Sequence, residues 1–549
     1  VYRSDRPATR AVLLALTAAL PLALAACGGG TDGKAAADGG APVDGGKLVF
    51  AVNSEPLALD PHTSPQDVTA IFTRPVLDSL VALDSAGTVK PWLATSWKLS
   101  PDQRSYTFTL RRDVTFSDGT PFDAAAVKAN LDHIVDPKTK SQLAASQFGP
   151  YKGTDVVDRY TARVNFAKPH SPFLNVLSTV FFGMESPAEL RKGPQAQASA
   201  IVGTGPFIME RYTPHQGITY RRNPAYKWSS PNAAHQGPAR LAQLEIKMLL
   251  EDSVRYGALT SGQVNAITAV PPANLRLADR DKRLRVERVP AGTYSYFPNT
   301  TNGIFTDAKV RDAFRSAVDF RTLVGSLYFG AFKKAYSPLS PQAPGYDKAT
   351  ETQWGYDPAK AARLLDEAGW TARDGQGYRT KNGHRLTVRW PILRALDRES
   401  RATLAEQVQA EVKKLGFEVQ LQNVTFNEYL VKYGKADYDL LDYSMRADAD
   451  SLRSLFDTSN ITKGPRLTQN AARYSDKEVD GWFQQALASS DQAKRLALYT
   501  QVQHKVTEQA VVFPVYVQSV LLGRSTRVHG IGFDTQSFPL FQDAWITRG

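Results

Sequence analysis

One cysteine in 549 residues, Cys27, sets the terms on which this chain can fold. No intrachain disulfide and no Cys-based metal cage can staple it, so apolar cores must carry its stability. A chain of this length exceeds what one hydrophobic core usually spans, and at least two lobes are expected. The material for those cores is present: 42% of residues are hydrophobic, 10% aromatic and 22% charged, as in ordinary soluble globular chains.

The net charge of +12 would suit nucleic acid or an anionic surface, but Lys and Arg are interleaved with Asp and Glu along the chain. The densest basic stretch, Arg276 to Arg288, also holds Asp279, Asp281 and Glu287. A nucleic-acid footprint needs basic clustering without acidic neighbours, so the stretch reads as a solvated face and no nucleic-acid partner is expected.

The position of Cys27 explains it. Residues 1–26 read as a signal peptide, with Arg3, Arg6 and Arg10 ahead of an apolar run from Ala11 through Leu24 that only Thr17 and Pro21 interrupt. That run is short for a membrane span, which takes about 20 apolar residues. It closes on Leu24-Ala25-Ala26-Cys27-Gly28, which resembles the lipobox of bacterial lipoproteins. The resemblance implies acylation of Cys27 and a chain lipid-anchored at the extracytoplasmic face of a bacterial cell membrane, in the cell envelope or periplasmic space. Residues 27–46, rich in Gly, Ala and Asp, have the composition of a flexible tether. Within them Gly28 to Gly33 fits G-x-G-x-x-G and, with Lys34, nearly a P-loop. A phosphate loop must follow a strand, and Ala35 stands where Ser or Thr would hold magnesium, so no nucleotide or other cofactor is expected.

The folded part opens with Leu48-Val49-Phe50-Ala51-Val52, a run suited to a buried strand. Tyr106, Phe108 and Leu110 alternate with polar residues, as do Tyr160, Val164 and Phe166, so both segments read as half-buried strands. Between them Asp123 caps a helix carrying Ala126, Val127, Asn130, Leu131 and Ile134 at three- and four-residue spacings. Asp307 caps another with Val310, Ala313, Phe314, Ala317 and Val318 on one face, and Asp357-Pro358 begins a third that ends at Gly369. Leu404, Val408, Val412 and Leu415 mark a helix that stops at Gly416 and leads into alternating Phe417, Val419 and Leu421. Helices alternating with strands predict an α/β fold.

Catalytic signatures are missing: there is no H-E-x-x-H, G-x-S-x-G, Ser-x-x-Lys or H-x-E with C-x-x-C. The eight histidines are scattered singly without ligand spacing, so no metal site is expected. An extracellular hydrolase stays open only through carboxylate pairs that sequence cannot exclude, and the chain reads as a binder rather than an enzyme.

Seven short strings carry a resemblance over the whole folded part. They are Leu59-Asp60-Pro61, Pro91 to Trp97, Phe116 to Phe122, Gly203-Thr204-Gly205-Pro206-Phe207, Arg222 to Tyr226, Phe305 to Ala313, and Asp357-Pro358 through Trp370. In content and order they are similar to those of the oligopeptide-, dipeptide- and nickel-binding group, bacterial extracellular solute-binding proteins of family 5. Most are structural by their own chemistry: Asp118-Gly119 is a turn, Gly203, Gly205 and Pro206 give backbone freedom and a bend, and Asp307 and Asp357 are caps.

The resemblance implies the class II periplasmic-binding-protein fold, two lobes closing on a hinge over a ligand. Lobe I would span 47–304, with a subdomain at about 99–200, lobe II 305–519, and 520–549 would return to lobe I. It further implies a monomer that delivers solute to an ABC permease and its ATPase subunits. In peptide-binding members a lobe II stretch ends in an aromatic residue, two residues, and an Asp that pairs with the ligand ammonium. The corresponding piece here runs from Asp439 through Tyr443, Met445, Arg446 and Asp448. Asp448 falls at the anchoring position, where it reads equally as a loop carboxylate paired with Arg446. Met445 stands where Trp is usual, which leaves the solute open between a short peptide and another charged molecule such as a nickel chelate, an opine or glutathione. Ser54 and Glu55 match a cleft-facing turn. Tyr296, Phe297 and Asn299 lie at the crossing between lobes, where the aromatics read as core or as wall.

Overall fold

The computed structural model describes residues 40–394, 397–445, 449–462 and 468–547. The expected signal peptide, Cys27, Arg446 and Asp448 lie outside the described residues. No helix among those described is long and apolar enough to cross a membrane.

A large mixed sheet forms the spine. From edge to edge its strands are Leu440–Met445, Leu284–Pro298, Phe513–Ser525, Ala266–Ile267, Lys47–Val52, Gln243–Met248, Gly217–Arg222 and Phe207–Thr213, with Lys333–Lys334 also paired to Phe513–Ser525. Lys47–Val52 runs parallel to both its neighbours, and the remaining pairs are antiparallel. A strand enclosed by parallel partners is covered on both faces, which is why its sequence is a continuous apolar run instead of an alternation.

Three apolar cores hang on this spine. The first gathers Leu48 through Met248 and is completed by Leu522, Val528, Phe541 and Ala544 from the far end of the chain. The second is built around Tyr296, Phe314, Trp390, Val408 and Phe513 and draws in Ala258 through Leu284; the third joins Phe297, Leu441, Phe483 and Val502. The two long strands Leu284–Pro298 and Phe513–Ser525 pair with each other, and the second of them joins the cores, with Phe513, Val515, Tyr516 and Leu521 in the second and Leu522 in the first. Their register shifts between Pro290 and Thr293, opposite Ser519 and Val517. A second irregularity follows between Tyr294 and Ser295, and such bulges bend and twist the strands that carry them.

Local signals read from sequence reappear. Asp123 accepts from the Ala126 N–H at 3.0 Å and starts helix Ala124–Val135, whose buried face is Ala126, Val127, Asn130, Leu131 and Ile134. Asp307 and Asp357 cap Ala308–Ser316 and Pro358–Glu367 in the same way. Strands Ala94–Leu99, Ser105–Leu110, Thr161–Phe166 and Tyr151–Asp158 make a four-stranded sheet in the expected subdomain. One reading needs correction. Gly203 and Gly205 are there for close approach, not for backbone freedom: a Cβ on Gly203 would lie 2.1 Å from the Val76 carbonyl oxygen, and one on Gly205 2.5 Å from the Val76 carbonyl carbon. Neither has a positive φ.

Candidate ligand cleft between the lobes

A cavity of about 700 Å³ opens between the two bodies. Arg74, Asp78, Trp92 and Asn175 face it from the first lobe, Pro290 from strand Leu284–Pro298, and Asp450, Arg495 and Tyr499 from the second lobe, with the C-terminal stretch through Asp534 on one side. The lobes touch around it. The Asn175 amide donates to Asp450 at 3.3 Å, the Ser171 hydroxyl and N–H donate to the Ala486 and Leu487 carbonyls at 3.0 and 3.2 Å, and Arg398 faces Asp67 at 3.7 Å.

Second-lobe chemistry comes from one helix face. In helix Gln492–Glu508, Gln492, Arg495, Leu496 and Tyr499 follow the spacing that stacks side chains on one side, and all four line the cavity. The Tyr499 hydroxyl donates to Asp450. Among the described residues Arg495 has no hydrogen-bond partner for its buried Nε. An anionic and a cationic side chain thus meet the same space.

The first-lobe wall is stiff. The Arg74 guanidinium donates to Leu77 O, Ser79 Oγ and Ser178 O at 3.3, 3.0 and 3.0 Å and lies 5.8 Å over the Trp92 ring. Asp78 accepts from Thr204, Trp228 and Tyr226 at 2.9, 3.0 and 3.2 Å. Burial pushes the Asp78 carboxyl up to about 7 against the pull of Thr204 and Arg74. Between pH 4 and 7 the folded protein therefore holds a proton that the unfolded chain has lost, and stability from this group falls as pH rises through that window. Denaturant titrations at pH 4.5, 6 and 7.5 should show a less negative slope for Asp78→Asn than for the parent. Parallel slopes would exclude the assignment.

The residues named from sequence are scattered. Ser54 and Glu55 do not line the cavity; Glu55 accepts from the His215 N–H at 2.9 Å and pairs with its Nδ1 at 2.7 Å, and these bonds outweigh burial and hold its carboxyl below the usual range. Tyr296 is fully buried, its ring 4.7 Å from that of Trp390. Phe297 is buried and stacks at 4.3 Å on Tyr443, whose hydroxyl donates to Gln469 O. Met445 is buried in the third core. Asn299 is buried too; its amide donates to Ala436 O and Tyr438 O, and its oxygen accepts from the N–H and hydroxyl of Thr301, so it has no atom to offer a ligand in this form. What sequence reasoning did reach is the neighbourhood: Ala449 and Asp450, directly after Asp448, are cavity wall. Arg495, Tyr499, Asn175 and Arg74 were missed, and no local pattern marks them.

The chain is similar to known binding proteins over most of its length. The glutathione-binding protein GsiB of Salmonella typhimurium is 27% identical over 510 residues, 90% of this chain and 94% of its own. NikA from Brucella suis, solved with Fe(III)-EDTA, superimposes with a TM-score of 0.78 at 28% identity, over 91% of this chain and 100% of its own. DppA from Helicobacter pylori, solved with the peptide STSA, gives 0.76 at 22% identity, over 92% and 99%. The profile of the bacterial extracellular solute-binding proteins, family 5, matches residues 88–464, more than half of the sequence. The α/β architecture is that of the two-lobe periplasmic binding proteins, and the chain belongs to the family 5 bacterial extracellular solute-binding proteins.

Proposed function

We propose that this protein captures a short peptide between its lobes and hands it to an ABC permease with its ATPase subunits, as a monomer held at the outer face of the membrane by a lipid on Cys27. The observation that carries the ligand class is the presence of both Asp450 and Arg495 on one wall of the cavity. A zwitterion offers an ammonium to the first and a carboxylate to the second, and charge-assisted bonds are strongest where water is shut out. A volume of about 700 Å³ lies inside the range of about 300–1,000 Å³ of small-molecule sites. Among the described residues no histidine or cysteine lines the cavity, and release of intact solute is the expected outcome.

A second reading keeps the transport role and changes the solute. NikA, at 28% identity, is nearer in sequence than DppA at 22%, and its bound EDTA is a polycarboxylate chelate. Arg495 and Arg74 would serve such an anion.

Native mass spectrometry of protein purified without denaturation separates the two. A spread of masses matching short peptides supports the first reading, and one discrete chelate or opine mass supports the second. An empty cleft that no di- to tetrapeptide stabilises in a thermal-shift screen overturns the peptide assignment. Arg495→Ala should weaken a carboxylate-bearing cargo roughly tenfold or more by calorimetry.

A further inference from the structure

Away from the cleft, in the first lobe, a closed group of two carboxylates and two imidazoles has no partner for several of its atoms. It is formed by Asp60 and His62 after the first strand, His133 on helix Ala124–Val135, and Glu185 on the segment preceding helix Pro187–Leu190. One ligand atom each from Asp60, His62 and His133 lies within 4.8 Å of the others. His62 and Glu185 are both 0% exposed, and Asp60 is 2% exposed.

The proton positions follow from the neighbours. His62 Nε2 lies 3.0 Å from the Gly183 carbonyl, which only accepts, so Nε2 carries the proton and Nδ1 presents a lone pair. That lone pair faces Glu185 Oε1 at 3.9 Å, and neither His62 Nδ1 nor either Glu185 carboxyl oxygen has a hydrogen-bond partner among the described residues. On His133 the Thr139 hydroxyl donates to the His133 carbonyl at 2.6 Å, so its oxygen is left to accept from Nδ1 at 3.2 Å. His133 Nε2 lies 3.3 Å from Asp60 Oδ2, where an N–H would donate to the carboxylate and a bare lone pair would require a cation between them. At His62 a lone pair thus faces a fully buried carboxylate, with no hydrogen-bond partner for either among the described residues. Such an arrangement is repulsive unless a cation stands between them.

The supports are also those of a ligand set. Asp60 is fixed by the His62 N–H at 2.7 Å on Oδ1 and by the Thr63 hydroxyl at 2.7 Å on Oδ2. Asn130 clamps the Glu185 backbone, donating to its carbonyl and accepting from its N–H, both at 2.8 Å. Second contacts of this kind orient metal-binding imidazoles and carboxylates.

We propose that Asp60, His62, His133 and Glu185 form a structural site for a divalent transition-metal ion of the zinc class. Two imidazole nitrogens and one carboxylate oxygen lie within reach of one ion, and Glu185, 3.9 Å from His62 Nδ1, stands beside them as the fourth donor, a nitrogen and oxygen set of the kind zinc takes. The ion would join three segments that are remote in sequence and fasten the expected subdomain to the body of its lobe. His133, with a side chain 13% exposed, is the way in. The rival occupant is a single proton on Glu185.

The test uses the untagged full chain, purified without chelator. Elemental analysis should find about one equivalent of metal. EDTA treatment should lower the Tm by about 5 °C and Zn²⁺ should restore it. Co²⁺ should give the visible bands of a four-coordinate site. His133→Gln, at the rim, should weaken Zn²⁺ at least tenfold and leave cleft-ligand affinity unchanged. Glu185→Gln, which imitates a protonated acid, should abolish the EDTA-sensitive part of the Tm. Metal-free protein whose Tm ignores Zn²⁺ would overturn the site, as would Zn²⁺ titrations of both variants that overlay the parent.

Discussion

Replacing Asp450 by alanine is expected to weaken capture of an ammonium-bearing solute by between about ten- and a hundredfold. Hydrogen bonds to charged groups contribute about 1.5–3 kcal/mol, and removal of one partner leaves the others unpaired. Asp450 has two of them: the Tyr499 hydroxyl donates to it from its own lobe and the Asn175 amide from the facing lobe. It thus serves ligand charge and lobe closure together. Asp450→Asn is the milder change: its amide oxygen can still accept from one of the two donors, which use different carboxylate oxygens, but it no longer offsets an ammonium. Calorimetry with the native cargo should show both variants weakened, the alanine more. An unchanged Kd in Asp450→Ala would remove this residue from the binding wall.

The second large effect is expected at Gly203. A methyl group there has to enter space held by the Val76 carbonyl oxygen at 2.1 Å, and that neighbour is backbone, not the end of a movable side chain. Overpacking of a rigid site costs about 3 kcal/mol or more. Val76 lies between Arg74 and Asp78, so the strain should reach the cleft wall as well as the melting temperature. Gly257→Ala is the matched control: the residue sits in helix Asp252–Thr260 with nothing within 4 Å of an added Cβ, and it should stabilise by about 0.5–1 kcal/mol. Thermal melts of the two variants should move in opposite directions. A Gly203→Ala protein that melts with the parent would show that the 75–76 segment yields freely.

Much of the fold was legible because its signals are local. A capping Asp reports its helix within three residues, and alternation reports a strand within six, so Asp123, Asp307, Asp357 and the Ser105–Leu110 strand could be read directly. The string Gly203 to Phe207 identified the family, yet its physical reason was not available until Val76 appeared against it. The site was legible only as a neighbourhood. Tyr296, Phe297 and Asn299 were placed by their position at the lobe crossing, and there strand Leu284–Pro298 is paired on both sides, by Leu440–Met445 and Phe513–Ser525, and its Tyr296 and Phe297 are buried, as is Asn299 just after it.

Charge partners do not follow chain distance. Asp450 and Asn175 meet across the cleft 275 residues apart, and His133 meets Asp60 at 73 residues. Eight histidines scattered singly gave no ligand spacing, because the spacing that matters was made by folding a helix back over the turn after the first strand. The sequence by itself determined the α/β class, the helix caps and the family, each of which rests on bonds between near neighbours or on order along the chain. Only the tertiary structure decided which carboxylates, imidazoles and guanidinium share a space, because electrostatic contact acts over a few ångströms through space and leaves no periodic trace along the chain.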